Sequence, residues 1–122
     1  MFEVSVRMHF SAAHHLEGYR GGCEEQHGHN WEVEVFVGGD ALDEIGMLVD
    51  FRDVKGVLAA ELDRLDHHDL NTLDVFGANN PTSERIAEFL FNKLSRKLNT
   101  ENRHVSRVSV QETPGAKASY SG

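Results

Sequence analysis

The stretch His27-Gly-His-Asn-Trp31-Glu-Val-Glu-Val-Phe-Val37 decides the fold of this 122-residue chain. Large apolar residues occupy every second position from Trp31 to Val37, which predicts a half-buried β-strand. His27 and His29 have the same parity, so both imidazoles point to the covered face of that strand. Two imidazoles placed in this way can bind one metal ion such as Zn²⁺. His-Gly-His alone is a weak signal, and a metal site needs a third ligand from elsewhere.

The N-terminal segment offers that third ligand. Residues 2–10 alternate strictly between apolar and polar side chains, which predicts another half-buried strand. If the alternation continues, Ala12 and His14 fall on the apolar face and His15 points the other way. His14 is therefore the best candidate for a third ligand. The alternative is a core histidine whose polar atoms are satisfied by neighbouring groups.

Residues 16–26 contain three glycines and are typical of a loop. This loop carries Cys23, the only cysteine of the chain. A lone cysteine is usually a small buried hydrophobe, but a thiol close to three histidines favours a functional site. One cysteine also excludes an intrachain disulfide and suits a reducing cytosol, so a cytoplasmic location is expected.

The charge and composition limit the possible partners. The formal net charge of −8 argues against general binding to nucleic acid or to an anionic membrane. The sequence shows neither an apolar run long enough to span a membrane nor a signal peptide. An anionic substrate would need a local cluster of metal, His, Lys or Arg.

Two helices are expected between the second and third strands. Asp50 is predicted to be the N-cap of the first helix. Its apolar stripe consists of Phe51, Val54, Leu58, Leu62 and Leu65. The helix is expected to end in residues 65–71, which are dense in titratable groups. That density indicates either a solvated helix end or an Asp–His pair able to pass a proton, and sequence spacing does not separate the two.

After a loop at 72–79, Asn80 is predicted to cap the second helix, with Pro81 as its first residue. A third strand is expected at 104–112 and a short fourth one at 117–121. Glu112 shares the inward parity of the preceding valines, so its carboxylate needs a partner. It either binds the N–H groups of a substrate or lies where the strand frays. The element order predicts an α+β fold with both helices on one face of the sheet.

With these residues identified, the chain resembles the 6-pyruvoyltetrahydropterin synthase family, which includes the queuosine-pathway 6-carboxytetrahydropterin synthases. The resemblance covers most of the chain, and its specificity lies in the order of the motifs. The motifs are Phe10-Ser-Ala-Ala-His14, Cys23-x3-His27-Gly-His29, Val49-Asp-Phe51, Leu65-Asp-His67, Asn80-Pro-Thr-Ser-Glu84 and Glu112-Thr113.

The resemblance implies a catalytic Zn²⁺ held by three ligands, His14, His27 and His29. It implies Cys23 as the general base, with Asp66 and His67 completing a proton-transfer triad. Contacts with substrate are expected from three further residues, namely Glu112, Thr113 and Glu24, with Glu112 anchoring the N–H edge of the pterin ring. The alternative for Glu24 is an ordinary loop carboxylate.

The resemblance also implies a single domain over residues 1–122 with the tunnelling fold, a four-stranded antiparallel sheet with two helices on one face. In that fold the sheets of three subunits join into a barrel. Two trimers then stack into a homohexamer with active sites at subunit interfaces, which would also cover the open sheet edges.

The implied substrate is 7,8-dihydroneopterin triphosphate. The bacterial branch of the family yields 6-carboxy-5,6,7,8-tetrahydropterin and acetaldehyde, and another branch yields the pyruvoyl product. Relatives with a glutamate in place of the cysteine make 6-hydroxymethyl-dihydropterin for folate synthesis, and this chain carries both Cys23 and Glu24.

Two other classes of protein remain for comparison. A non-catalytic pterin or purine binder is disfavoured by the intact Cys23, Asp66 and His67. A structural zinc protein is disfavoured because structural sites usually have four protein ligands and more cysteine.

Overall fold

The computed structural model describes residues 1–18 and 26–122, and these ranges form four β-strands and two α-helices. The strands are β1 (Phe2–His14), β2 (His27–Gly39), β3 (His104–Thr113) and β4 (Ala116–Tyr120). The helices are α1 (Phe51–Leu62) and α2 (Ser83–Leu98). The strands form one antiparallel sheet in the order β1-β2-β3-β4. The predicted order of two strands, two helices and two strands is confirmed.

One face of the sheet is covered and forms the core with the helices. On β2 the covered residues are those of the predicted alternation, Trp31, Val33, Val35 and Val37, all fully buried. Their partners from the helices are Val54, Leu58 and Leu62 of α1 and Ile86, Ala87, Leu90, Leu94 and Leu98 of α2. The period-two pattern of the strands and the helical stripes therefore meet in a single core.

The first helix begins as predicted and ends earlier than predicted. The Asp50 carboxylate accepts a hydrogen bond from the backbone N–H of Arg52 at 2.8 Å, as an N-cap does. The helix ends at Leu62, so residues 65–71 are not its C-terminal turn. Short 3₁₀ helices follow at Leu70–Thr72 and Asp74–Phe76, within and just after the titratable run.

The second helix begins two residues later than predicted. Thr82, not Asn80, is its N-cap, and the Thr82 hydroxyl accepts from the backbone N–H of Arg85 at 3.1 Å. Pro81 accordingly precedes the helix. The Asn80 amide is engaged elsewhere, on the backbone of Glu17, so it cannot cap a helix.

Two β-bulges adjust the faces of β3. Val37 pairs with Val105 while Phe36 pairs with Arg107, so Ser106 is an extra residue in β3. Gln111 pairs with Lys117 while Thr113 pairs with Ala116, so Glu112 is a second extra residue. A bulge bends its strand and re-aims a side chain, and the second one places Glu112 at the end of the sheet that carries the histidines.

The outer edge of β1 is covered over only part of its length. Residues 66–71 run along it from Ser11 to His15. Residues 2–9 have no neighbouring strand on that side within residues 1–18 and 26–122. Across the same described residues, no helix combines the length and the apolar character that a membrane span requires.

Candidate active site

The pairing of β1 with β2 brings three histidines together. His14 lies directly opposite His27, and Ala12 lies opposite His29. Residues opposite each other in an antiparallel pair have Cβ atoms about 4.5–5.5 Å apart. The small side chain of Ala12 leaves room for the two β2 imidazoles to turn toward His14. The predicted grouping of His14, His27 and His29 on the covered face is thus confirmed.

The fourth member of this cluster is a carboxylate. Glu112 Oε1 lies 2.8 Å from His14 Nε2, 3.1 Å from His29 Nε2 and 4.0 Å from His27 Nε2. His14 Nε2 and His27 Nε2 are 3.0 Å apart. All four ligand atoms lie within 4.8 Å of one another. Ligand atoms of a tetrahedral ion with bonds of roughly 2.0–2.1 Å are about 3.3 Å apart, so the cluster fits a single metal ion.

The orientation of His14 supports the same interpretation. His14 is almost completely buried, and its Nδ1 lies 2.9 Å from the Pro81 carbonyl oxygen, a group that can only accept a hydrogen bond. Nδ1 therefore carries a proton, and in the neutral imidazole the Nε2 lone pair faces the cluster. A carbonyl that holds the far nitrogen of a metal-binding histidine is the usual support for such a ligand.

Trp31 forms the floor of the cluster. Its ring is perpendicular to both His14 and His29, with centroids 4.9 and 5.3 Å away. The indole N–H donates to the Ala12 carbonyl at 3.2 Å, and the ring stacks on Phe10 at 5.8 Å. Packing on this buried aromatic pair fixes the imidazole rotamers before any ligand arrives.

His29 provides a second test of fit. Its Nε2 is buried and makes no hydrogen bond of acceptable angle within the described part of the chain, although Glu112 Oε1 is near. Burial lowers the pKa of His29 below its ordinary value; Glu112 opposes this shift, and His27 and His14 add to it. A neutral imidazole with an unsatisfied buried nitrogen is suited to donate its lone pair to a cation. Imidazole nitrogens and a carboxylate oxygen together suit Zn²⁺ and related divalent transition metals.

Asp66 and His67 form a separate pair on the outer edge of β1. His67 Nδ1 lies 2.9 Å from Asp66 Oδ2, and Asp66 Oδ1 accepts from the backbone N–H of Ser11 at 2.8 Å. That backbone hydrogen bond is the largest cause of the lowered pKa of Asp66, and His67 lowers it further. The pairing of these two residues is therefore observed, in a turn and not in the predicted helix end.

The Asp66–His67 pair does not join the cluster. Neither residue makes a hydrogen bond or ion pair with His14, His29 or Glu112 in the described ranges. Ser11 precedes His14 by three residues, which corresponds to about 10 Å along a strand. The His67 side chain is 81% exposed, and its backbone φ of 59° is uncommon for a residue with a Cβ. Its backbone N–H donates to the Ser11 carbonyl, which helps to hold this conformation.

Two asparagines that sequence reasoning did not assign to the site hold the chain just after His14. Asn71 accepts from the N–H of His15 at 2.8 Å and donates to its carbonyl at 3.0 Å. Asn80 does the same for Glu17, at 2.9 Å for both bonds. These side chains satisfy the backbone N–H and C=O groups after the end of β1, as a neighbouring strand would. The sequence shows that Asn71 follows Leu70 and that Asn80 precedes Pro81. It does not show that these side chains bond to the backbone of His15 and Glu17.

The remaining predicted residues have different outcomes. Cys23 and Glu24 lie outside the described residues, so their proposed roles stay predictions. Thr113 pairs with Ala116 at the turn between β3 and β4, and its predicted contact with substrate is also untested. Glu112 was predicted as a substrate anchor, and the structure places it among the histidines.

Comparison with known proteins gives a consistent result. The family model described as 6-pyruvoyl tetrahydropterin synthase matches residues 3–122. A 6-carboxy-5,6,7,8-tetrahydropterin synthase of Bacillus subtilis is 34% identical over 125 residues, covering 98% of this chain and 84% of the relative. A protein of the same name from Synechocystis is 40% identical over 103 residues, covering 77% of this chain and 75% of the relative.

The fold agrees with this match. The structure of Caenorhabditis elegans 6-pyruvoyl tetrahydropterin synthase superimposes with a TM-score of 0.86 at 28% identity, covering 99% of this chain and 95% of that one. The family model spans nearly the whole sequence, and the motifs that suggested the resemblance include the residues of the cluster. The chain therefore belongs to the 6-pyruvoyl tetrahydropterin synthase family.

Proposed function

We propose that this protein is a zinc-dependent lyase that converts 7,8-dihydroneopterin triphosphate to 6-carboxy-5,6,7,8-tetrahydropterin, a step of queuosine biosynthesis. The observation that carries the proposal is the cluster of His14, His27, His29 and Glu112 in a member of this family. Support for the carboxy product comes from the Bacillus and Synechocystis relatives, which carry that name.

In the proposed site, the three histidines of the cluster bind the metal ion and Glu112 binds the substrate. His14, His27 and His29 hold the Zn²⁺, and Glu112 accepts hydrogen bonds from the N–H edge of the pterin ring. When bound, Zn²⁺ polarises the side-chain hydroxyls of the substrate and makes their deprotonation easier. The buried Trp31, stacked on Phe10, keeps the imidazoles of His14 and His29 in place during turnover.

Proton transfer falls to residues outside the cluster. The Cys23 thiolate takes the carbon-bound proton of the substrate side chain, because a thiol near cationic groups ionises close to neutral pH. His67, held by Asp66, exchanges that proton with the thiol and with solvent. The lowered pKa of Asp66 keeps its carboxylate ionised to support an imidazolium.

The exposed position of the Asp66–His67 pair favours active sites that are completed by a second subunit. The proposed assembly is a homohexamer of two trimers. The open edge of β1 at residues 2–9 offers unpaired backbone groups for another chain. Large apolar side chains are exposed at Met1, Phe2, Leu42, Ile45 and Phe51. Several of them line one groove beside the start of β1. A monomer mass by light scattering at micromolar concentration would contradict this assembly.

Product analysis tests the reaction. Supplied with 7,8-dihydroneopterin triphosphate, the zinc-loaded wild type should release the 6-carboxy product, acetaldehyde and triphosphate. Cys23→Ala should lower its formation by about 10²–10⁴-fold, the usual contribution of a positioned base, and should leave the zinc content unchanged. Full carboxy-product activity in Cys23→Ala would reject the thiolate as base.

The same assay separates the folate-route alternative, which the adjacent Glu24 favours. If Glu24 is a second base, Cys23→Ala should retain or gain 6-hydroxymethyl-dihydropterin, and Glu24→Ala should abolish it. Glu25→Ala is the matched control, since it removes the same charge one residue further along. Absence of the hydroxymethyl product from every variant would leave Glu24 as a loop carboxylate. Absence of any product with bound pterin would indicate a non-catalytic binder.

A further inference from the structure

Glu112 lies beside the imidazole nitrogens of the cluster, yet its proposed role is to bind the pterin ring, and one carboxylate oxygen cannot do both at once. The proposed function requires it at the N–H edge of the pterin. The structure places its Oε1 at 2.8 Å and 3.1 Å from two of the three metal-facing imidazole nitrogens. We propose that Glu112 is an exchangeable fourth metal ligand, bound to the ion in the substrate-free protein and transferred to the pterin when substrate arrives. This inference rests on the proposed function and deepens it.

The geometry of the cluster is that of a coordination shell. The distances between Glu112 Oε1 and the three Nε2 atoms run from 2.8 to 4.0 Å. They bracket the spacing of about 3.3 Å expected for ligands around one tetrahedral ion. The His14 lone pair faces the carboxylate because its proton is on the side of Pro81. In the neutral imidazole this lone pair and the carboxylate oxygen would repel each other, and a cation between them removes the repulsion.

The backbone around Glu112 allows the side chain to move. Glu112 is the extra residue of the bulge between Gln111 and Thr113, so no β4 residue lies opposite it. It follows the last pair between β2 and β3, Glu32 with Gln111. Its side chain is 31% exposed, whereas that of His14 is 1% exposed. The carboxylate can therefore rotate toward solvent while the histidines stay fixed on the paired strands.

The exchange would couple recognition of the pterin ring to the opening of a coordination position on the metal ion. A ligand set of four protein groups is closed, whereas a catalytic metal needs an open position. Pterin N–H groups that attract Glu112 would vacate the fourth position for the side-chain hydroxyls of the same substrate. A molecule without the pterin edge would leave the carboxylate on the metal and the site closed.

Cobalt substitution tests the proposal, because the visible absorption of Co²⁺ reports its ligand set without any turnover. The Glu112→Gln variant should bind Co²⁺ about 10-fold or more weakly than the wild type and should show a different visible spectrum. Glu34→Gln is the matched control, since this residue bonds to Ser5 away from the cluster. It should behave as the wild type does.

The exchange itself is tested with unsubstituted pterin, which has the N–H edge and no side-chain hydroxyls. Its addition should shift the wild-type cobalt spectrum toward that of Glu112→Gln. It should leave the spectrum of Glu112→Gln unchanged. Glu112→Asp, which keeps the charge and withdraws the oxygen by one methylene, gives an independent variant if Glu112→Gln does not fold.

Two results would overturn the proposal, and the product assay separates it from the proposed reaction. Identical spectra and affinities for the wild type and Glu112→Gln would exclude Glu112 as a ligand. Pterin binding, followed by fluorescence, without a spectral shift would exclude the exchange. If the spectra behave as expected and no carboxy product forms, the ligand exchange stands and the proposed reaction fails. If the carboxy product forms and the spectra of the wild type and Glu112→Gln are identical, only the exchange is rejected.

Discussion

The histidine cluster and the Asp66–His67 pair are both candidate functional groups within the described residues, and they are held in different ways. The cluster lies on paired strands over a buried tryptophan, and its ligand atoms converge within one subunit. The pair lies on a turn attached to the outer edge of β1, and His67 is largely exposed. One region is preorganised by the core and the other by a few backbone hydrogen bonds.

This difference suggests how the site is divided between chains. A metal site needs ligand positions fixed to a fraction of an ångström, which rigid strands supply. A proton-transferring pair needs exposure and a partner, and within the described residues Asp66 and His67 make no hydrogen bond or ion pair with His14, His29 or Glu112. The comparison therefore predicts that metal binding belongs to one subunit, whereas catalysis requires two.

The largest expected effect comes from removing a ligand of the cluster. His29→Ala should lose bound zinc and have no measurable activity. The loss of affinity should exceed the roughly 10–100-fold typical of mutating a residue that only orients a metal ligand. Metal analysis after gel filtration, with product assays, provides the measurement. His9→Ala is the control, because His9 contacts Glu32 on the opposite face of the sheet. Full zinc content in His29→Ala would refute the assignment.

The second prediction concerns the pair and the subunit interface. His67→Ala should keep its zinc and lose about 10²–10⁴-fold in activity. Mixed hexamers of equal parts His29→Ala and His67→Ala should recover about a quarter of the wild-type activity, because each interface site then has an even chance of an intact part from each chain.

Mixtures that stay inactive after verified subunit exchange would place both regions in one subunit. In that case the separation between Ser11 and His14 along β1 would have to be closed by movement within the chain. Co-purification of one untagged variant with the other, tagged variant verifies that the subunits have exchanged.

The contrast between the two regions also explains what the sequence could predict. The cluster was predictable because strand periodicity fixes the face of every second residue, so His14, His27 and His29 follow from local patterns. The parity of Glu112 predicted an inward carboxylate correctly, but parity alone could not identify its neighbours.

Segments governed by long-range bonds were beyond local patterns. Residues 66–69 continue a helical pattern in sequence, yet their backbone pairs with Ser11 and Ala13, more than fifty positions away. Asn80 has the residue type and the position of a cap, yet its amide bonds to Glu17. In both cases tertiary partners outweigh local preference, and nothing in the sequence names those partners.

A smaller effect is expected from the asparagines that hold β1 behind the cluster. Asn71→Ala removes two hydrogen bonds to the His15 backbone and should lower the free energy of unfolding by about 1–3 kcal/mol. Because the strand end carries His14, zinc affinity should fall as well. Urea unfolding and competitive zinc titration measure the two effects. Asn92→Ala, on the exposed face of α2, is the control and should stay within about 0.5 kcal/mol of the wild type. An unchanged zinc affinity in a destabilised Asn71→Ala would limit Asn71 to the fold.

The smallest effect concerns the electrostatic attachment of the Asp66–His67 pair. The Ser11 N–H, followed by His67, holds the pKa of Asp66 below its ordinary value in the folded protein. The folded state therefore favours the carboxylate, and the resulting stability is present above the unfolded pKa of about 3.9. It is lost as the pH falls through the folded pKa. Asp66→Asn should accordingly be less stable than the wild type at pH 7, and the difference should shrink at pH 3.

Urea midpoints of the two proteins at both pH values provide this measurement. Asp40→Asn is the control, since this exposed residue follows the far end of β2. Removal of the Asp66 charge should leave zinc binding intact, because Asp66 does not touch His14, His29 or Glu112 in the described ranges. A difference between wild type and Asp66→Asn that is equal at pH 7 and pH 3 would mean that shape, not charge, attaches the pair to β1. The Asp66–His67 pair would then be held by shape and packing, as the histidine cluster is.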